Sequence, residues 1–171
     1  MIRKPSHYAL AREDLELLIK LAKSLYGTET AEDIPQPTVE PAARAQSIFE
    51  LADIEVFGVE RYATLAEKAA YIFYSFIKNH PLQNGNKRMA VICATTFLLA
   101  NAVERARVDY SNPAVSFGEV DIFYFYRLTL EVEASLPTEH EAVRARLTQV
   151  FDEFLQHLTI TDQSPTDSNP Q

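Results

Sequence analysis

The chain has 171 residues, and 47% of them are hydrophobic, which is enough for the core of a single domain. Its 24 acidic residues outnumber 16 basic ones and no basic stripe is visible, which argues against nucleic-acid binding because phosphate contacts supply most of that affinity. It has no apolar run long enough to cross a membrane and no signal-peptide pattern, so the sequence predicts a cytoplasmic protein without membrane contacts.

The hydrophobic pattern predicts an all-α fold. Apolar residues at helical spacing predict a first helix from Asp14 to Leu25, which Gly27 should end because glycine favours the turn that follows a helix. The proline-rich stretch 34–41 is a predicted loop. A short helix is then expected from Pro41 to Phe49, since proline fits the first helical position. Gly58 marks a second loop.

Two apolar helices are predicted around a polar loop in the middle of the chain. The first spans Leu65 to Ile77 and should end at about Asn79, because Pro81 disfavours the α conformation of the residue before it. His80 is therefore expected to be extended and to point out of the helix end.

The second central helix follows Asn86 and stays apolar through Leu99, so it is predicted to be buried. It contains Cys93, the single cysteine, which cannot form a disulfide within the chain and is expected to be a small buried side chain. With one cysteine and dispersed histidines, the sequence predicts no zinc site.

Two further helices are predicted after the central pair. Residues 103–118 lack a clear period and are expected to be irregular, with a short extended piece over 108–110. Helices then follow from about Glu119 to Ala134 and from about Thr138 to Leu158. The aromatic run 123–126 in the first of them is interpreted as core packing.

The end of the chain is predicted to lie outside the domain. Thr161 to Gln171 is polar, contains two prolines and has no core-forming residue, which is typical of a disordered tail. A single domain is therefore expected over residues 1–160.

The loop between the central helices, His80 to Arg88, has the residues with the most reactive chemistry. Gly85 can adopt the positive φ of a sharp reversal, and the next helix then presents unpaired backbone N–H groups in its first turn. Lys87 and Arg88 lie beside these donors, which predicts a binding site for a phosphate or an oxyanion. The imidazole of His80 can exchange protons near neutral pH, as a general base must.

This loop resembles the signature of the Fic/Doc family, His-Pro-Phe-x-Asp-Gly-Asn-(Gly or Lys)-Arg, which it matches at His80, Pro81 and Gly85 to Arg88. The flanking helices are similar to the family's two core helices. The resemblance is clear over residues 62–102 and weaker over 10–158. It implies an all-α Fic/Doc fold, a helical bundle with the active-site loop between its two central helices.

The resemblance also implies a role for each loop residue. His80 would take the proton from an incoming hydroxyl group, and Lys87 and Arg88 would neutralise charge on the transferring group. The phosphate-binding residues would be five consecutive positions: Asn84, Gly85, Asn86, Lys87 and Arg88.

Two positions indicate a branch of the family. Members that transfer AMP have Gly at the position of Lys87 and a second Arg at the position of Val91. The Doc branch has Lys and lacks the second Arg, so the resemblance implies a toxin that transfers the γ-phosphate of ATP to a Ser or Thr hydroxyl of a target protein. The target known for that branch is elongation factor Tu. AMP transfer of the Fic type is the alternative within enzymes.

The loop departs from the signature at two residues. Leu82 replaces a Phe that anchors the loop, and it keeps the apolar character. Asn84 replaces the acidic residue that holds Mg²⁺ in the family, and an amide oxygen is a weaker ligand than a carboxylate. The resemblance implies ATP and Mg²⁺ as cofactors, but Asn84 could instead cap a helix. A catalytically silent binding module is therefore a further alternative.

A separate partner chain is expected to restrain the protein. Some relatives carry an inhibitory signature, Ser/Thr-x-x-x-Glu-Gly/Asn. Here Thr28–Glu32 is followed by Asp33 and Ser135–Glu139 by His140, so neither segment matches. The resemblance then implies an antitoxin whose disordered segment folds upon binding.

Overall fold

The structure, a computed structural model, describes residues 8–26, 34–106 and 121–161, with side chains described up to 101 in the second range and 156 in the third. These residues form six α-helices and one small hairpin, so the predicted all-α fold is confirmed. In chain order the elements are α1 (Leu15–Tyr26), α2 (Val39–Ala52), β1 (Glu55–Val56), β2 (Val59–Glu60), α3 (Leu65–Asn79), α4 (Asn86–Ala106), α5 (Ile122–Ala134) and α6 (His140–Thr161). No helix in these ranges is both long and apolar enough to cross a membrane.

Helices α3 and α4 form the centre of the molecule. α3 begins at a capping box, in which Thr64 Oγ1 accepts the N–H of Glu67 and the Glu67 carboxylate accepts the N–H of Thr64. α4 is buried on every side from Met89 to Thr95. The other helices surround this pair: α1 and α5 pack on α4, and α2 and α6 pack on α3.

An aromatic seam joins three helices beside this centre. Phe125 of α5 stacks on Phe151 of α6 with ring centroids 5.5 Å apart, and Phe73 of α3 meets Phe151 edge-on at the same distance. All three side chains are buried. The seam fixes α5 against α3, which matters because α5 forms one wall of the cavity described below.

The hairpin is attached to α3 by a buried lysine. Lys68 is 2% exposed, and its Nζ lies 2.9 Å from Asp53 Oδ1 and 3.3 Å from Glu60 Oε2. It also donates to the carbonyl oxygen of Ala52. The sequence analysis missed the hairpin because strands of two residues have no alternation to detect, although Gly58 correctly marked its turn.

Several predicted boundaries were wrong. α2 begins at Val39 and ends at Ala52, so Pro41 is its third residue, which is possible because the first-turn N–H groups have no helical partner. α4 continues through Ala106 into the stretch predicted to be irregular, since no Gly or Pro interrupts it. α6 includes Thr161, which was assigned to the tail.

Other predictions hold or lie outside the described residues. α1 and α3 match their predicted ranges within about two residues, and Cys93 is fully buried. α5 begins at Ile122 after Asp121, whose carboxylate accepts the N–H of Tyr124. Residues 119–120, the turn at 27, the extended piece at 108–110 and the tail over 162–171 lie outside the described residues.

Candidate active site

The site begins where α3 ends, at His80. This residue has φ 44° and ψ 60°, so it is in the left-handed region and not extended as predicted. The left-handed conformation also takes His80 out of the α region that Pro81 disfavours, and it ends the helix as a C-cap. The imidazole is exposed, while Pro81 and Leu82 turn back into the protein and are buried.

The side chain of Asn86 holds the loop closed. Asn86 is 6% exposed; its Oδ1 accepts the N–H of Leu82 at 2.9 Å, and its Nδ2 donates to the carbonyl oxygen of Leu82 at 2.8 Å. The same Nδ2 lies 3.5 Å from His80 Nδ1. The first residue of α4 therefore shapes the loop and contacts the imidazole, a role that the sequence analysis did not assign to it.

Gly85 forms the second turn of the loop. Its φ of +80° confirms the predicted positive value, and its carbonyl oxygen accepts the N–H of Met89 to start α4. A Cβ at Gly85 would lie 2.6 Å from Cγ1 of the fully buried Ile34, so the loop rests directly on this side chain. Asn84 Oδ1 accepts the N–H of Gly85 at 2.6 Å, which stabilises the turn.

The two cations of the loop have different surroundings. Arg88 is 9% exposed and lies near Tyr26 of α1. Burial, followed by the neighbouring Tyr126, raises the pKa of Tyr26 well above its usual value, although the Arg88 guanidinium acts in the opposite direction. Lys87 is partly exposed, and its Nζ lies 2.7 Å from Oε2 of Glu133 on α5.

These residues line one cavity of about 630 Å³. On one side are His80 and the loop residues 83–88. On the other side are residues of α1 and α5 that the sequence analysis did not assign to a site: Tyr26, Phe123, Tyr126 and Glu133. The structure thus brings all the predicted site residues together at the end of the central helix pair.

Comparison with known families agrees with this arrangement. The Fic/DOC family model matches residues 13–98, half of the chain. The chain belongs to the Fic/Doc family. Among curated proteins, Toxin Doc of Mycolicibacterium smegmatis is 47% identical over 51 residues, which are 30% of this chain and 39% of the relative. The chain therefore spans well under half of that relative's length, and no solved structure matches it.

The aromatic run of this Fic/Doc chain was only partly interpreted correctly. Phe125 is buried in the core as predicted, but Phe123 is 60% exposed and lines the cavity with Tyr126. Tyr26 meets the ring of Phe123 edge-on and donates a hydrogen bond to the carbonyl oxygen of Ile122. Residues 123 and 126 are three apart and share a helix face, which the helical period could have revealed.

The side chains of the cavity do not fit a metal ion held by the protein. Over the described side chains, no group of three His, Cys, Asp or Glu residues could hold one. Glu133 is paired with Lys87, and the side-chain oxygen of Asn84 already accepts the Gly85 N–H. Since Mg²⁺ usually takes one or two carboxylates besides phosphates, the Mg²⁺ site at Asn84 stays a prediction without a suitable donor set.

The contact between Gly85 and Ile34 leads to a stability prediction. Gly85→Ala should lower the free energy of unfolding by about 1 to 2 kcal/mol through the left-handed backbone. Crowding against Ile34 should add about 1 to 3 kcal/mol, which is typical of an overpacked core. Chemical denaturation followed by circular dichroism measures the sum.

Gly58→Ala is the matched control. Gly58 has nearly the same φ, +79°, but a Cβ there would have no atom within 4 Å. Its substitution should therefore lower the free energy of unfolding only through the left-handed backbone. Equal losses of stability in the two variants would contradict the contribution assigned to Ile34.

Proposed function

We propose that this Fic/Doc chain is a toxin-like transferase that moves the γ-phosphate of ATP to a Ser or Thr hydroxyl of a target protein. The observation that carries the proposal is that an exposed imidazole, a helix N-terminus and two cationic side chains meet in the same cavity. Phosphoryl transfer depends mainly on positioning and on stabilising charge, and these groups supply both.

Each group has a defined task in this reaction. The N–H groups of the first turn of α4, with Lys87 and Arg88, bind the phosphate oxygens and stabilise the negative charge that develops on them. The hydroxyl oxygen of the target bonds to the γ-phosphorus while the bond between this phosphorus and the β-phosphate oxygen of the leaving ADP breaks. His80 accepts the proton of the hydroxyl during this step. Its exposed position at the cavity edge supports this role, because a protein substrate must reach it from outside.

The cavity also supports a nucleotide as the phosphate donor. Its volume is within the range of small-molecule sites, and the rings of Tyr26, Phe123 and Tyr126 lie opposite the cationic loop. Val91, one turn after Arg88, is fully buried and apolar, so α4 offers no second cation there for a deeply bound phosphate. This favours transfer of the γ-phosphate over transfer of AMP.

The partners belong to the same proposal. Elongation factor Tu, the target implied by the Doc branch, is the first substrate to test. The similarity to Toxin Doc also supports a partner antitoxin that restrains the activity.

ATP labelled at one phosphate tests the reaction. With elongation factor Tu and with cell extract, label at the γ-phosphate should reach protein, and label at the α-phosphate should not. The reason is that Lys87 and Val91 replace the glycine and arginine of AMP-transferring members. Transfer of the α label would identify an AMP transferase, and transfer of neither label would favour a silent binding module.

His80 has its own test. His80→Ala should reduce the transfer rate by about 100- to 10,000-fold, as removal of a positioned general base does. Because the side chain is exposed, loss of the imidazole alone should change the free energy of unfolding by about 0.5 kcal/mol or less, and any further loss would come from the left-handed backbone at this position. His80→Asn is the backbone control, since asparagine tolerates the left-handed conformation but cannot serve as the base. Wild-type rates in both variants would exclude this role.

A substitution of Asn84 tests whether position 84 can contact Mg²⁺. Asn84→Asp adds a charged oxygen beside Lys87 and Arg88, which favour its ionised form, so half-maximal transfer should need less Mg²⁺. Titration of Mg²⁺ against ATP binding and against transfer measures the effect. Gln83→Glu, which adds the same charge one residue away in the same cavity, should not reproduce it. An unchanged Mg²⁺ requirement would mean that position 84 does not contact the ion.

A further inference from the structure

Glu133 has an unexpected position in the cavity. It is the only carboxylate among the described residues that line the cavity, and it lies opposite the phosphate-binding loop. Lys78 of α3 holds this end of α5, because its Nζ donates to the carbonyl oxygens of Glu133 and Ser135 at 3.2 and 2.7 Å. The Glu133 backbone is thus fixed where its side chain reaches Lys87.

We infer that Glu133 competes with phosphate for Lys87 and thereby limits how strongly the cavity binds anions. The inference deepens the proposed function and rests on it, since it requires phosphate to bind at Lys87. The ion pair with Glu133 at 2.7 Å occupies one of the three N–H donors of the Lys87 ammonium and offsets its charge, so the carboxylate and a phosphate compete for the same group. The Glu133 carboxylate also repels an anion that is bound in the same cavity.

The surroundings make this exchange possible. The side chains of Lys87 and Glu133 are 28% and 44% exposed, so water can solvate both groups when they separate. A partly exposed pair is weak, and a phosphate with more than one negative charge can displace a single carboxylate. Arg88 is 9% exposed, so water solvates its guanidinium less than it solvates the Lys87 ammonium. The binding of phosphate to Lys87 therefore depends on an ion-pair partner, and that partner is Glu133.

Calorimetric titration with inorganic tripolyphosphate and with ATP, without divalent ions, tests the inference. Glu133→Gln should bind both ligands about three- to tenfold more tightly than the wild type. This gain should shrink when the ionic strength rises from about 0.05 M to about 0.5 M, because screening weakens the repulsion.

Glu131→Gln is the matched control. Glu131 lies two residues earlier on α5 and also forms an ion pair, 2.7 Å from Arg146, but it does not line the cavity. Its substitution should leave both affinities unchanged. A double-mutant cycle with Lys87→Gln separates the competition for Lys87 from the repulsion of the anion by Glu133. The gain in affinity from Glu133→Gln should be smaller when Lys87 is absent, because only the repulsion then remains.

The outcomes distinguish the inference from the proposed function. If the wild type binds both ligands and Glu133→Gln binds them equally or less tightly, the inference is wrong and the proposed function stands. If neither protein binds either ligand, the inference fails, because it requires an anion at Lys87; transfer of label from ATP in the presence of Mg²⁺ then decides the proposed function separately. Tighter binding in Glu133→Gln and Glu131→Gln alike would also overturn the inference, since the gain would then follow net charge alone.

Discussion

The site depends on one amide side chain, that of Asn86. Its two polar groups bond to both backbone groups of Leu82, which ties the first turn of α4 to the loop that leaves α3. Because the amide is buried, loss of these hydrogen bonds would leave the Leu82 backbone groups unpaired, which costs more than the bonds contribute when they form. The position of the imidazole, the turn at Gly85 and the direction of the first α4 N–H groups all follow from this link.

The electrostatics of the site follow from how deeply each charged group is buried. Arg88 is buried, whereas Lys87 is partly exposed and forms an ion pair with Glu133 of α5. The loop itself carries no carboxylate, so negative charge enters the cavity only from Glu133 among the described lining residues. The Fic/Doc signature usually has an acidic residue and cations within one loop. Here the loop has only the cations, and the carboxylate of the cavity belongs to α5.

The sequence was sufficient to predict the helical fold, the central pair and the loop, because these depend on local patterns: helical spacing, Gly85 at a turn and the order of polar residues from His80 to Arg88. It did not reveal the far wall of the cavity. Glu133 and Tyr26 are distant in sequence from the loop, and only the packing of α1 and α5 brings them there. The hairpin escaped notice for a related reason, since it is stabilised by the buried charge of Lys68 and not by a strand pattern.

The burial of Cys93 provides a natural probe of this architecture. The thiol lies at the middle of α4, and burial raises its pKa far above the usual value, so almost no reactive thiolate exists while the helix is packed. Reaction with an alkylating reagent therefore requires α4 to separate from its neighbours. Because the chain has no other cysteine, the alkylation rate reports the opening of the helix that carries the site, without any introduced label.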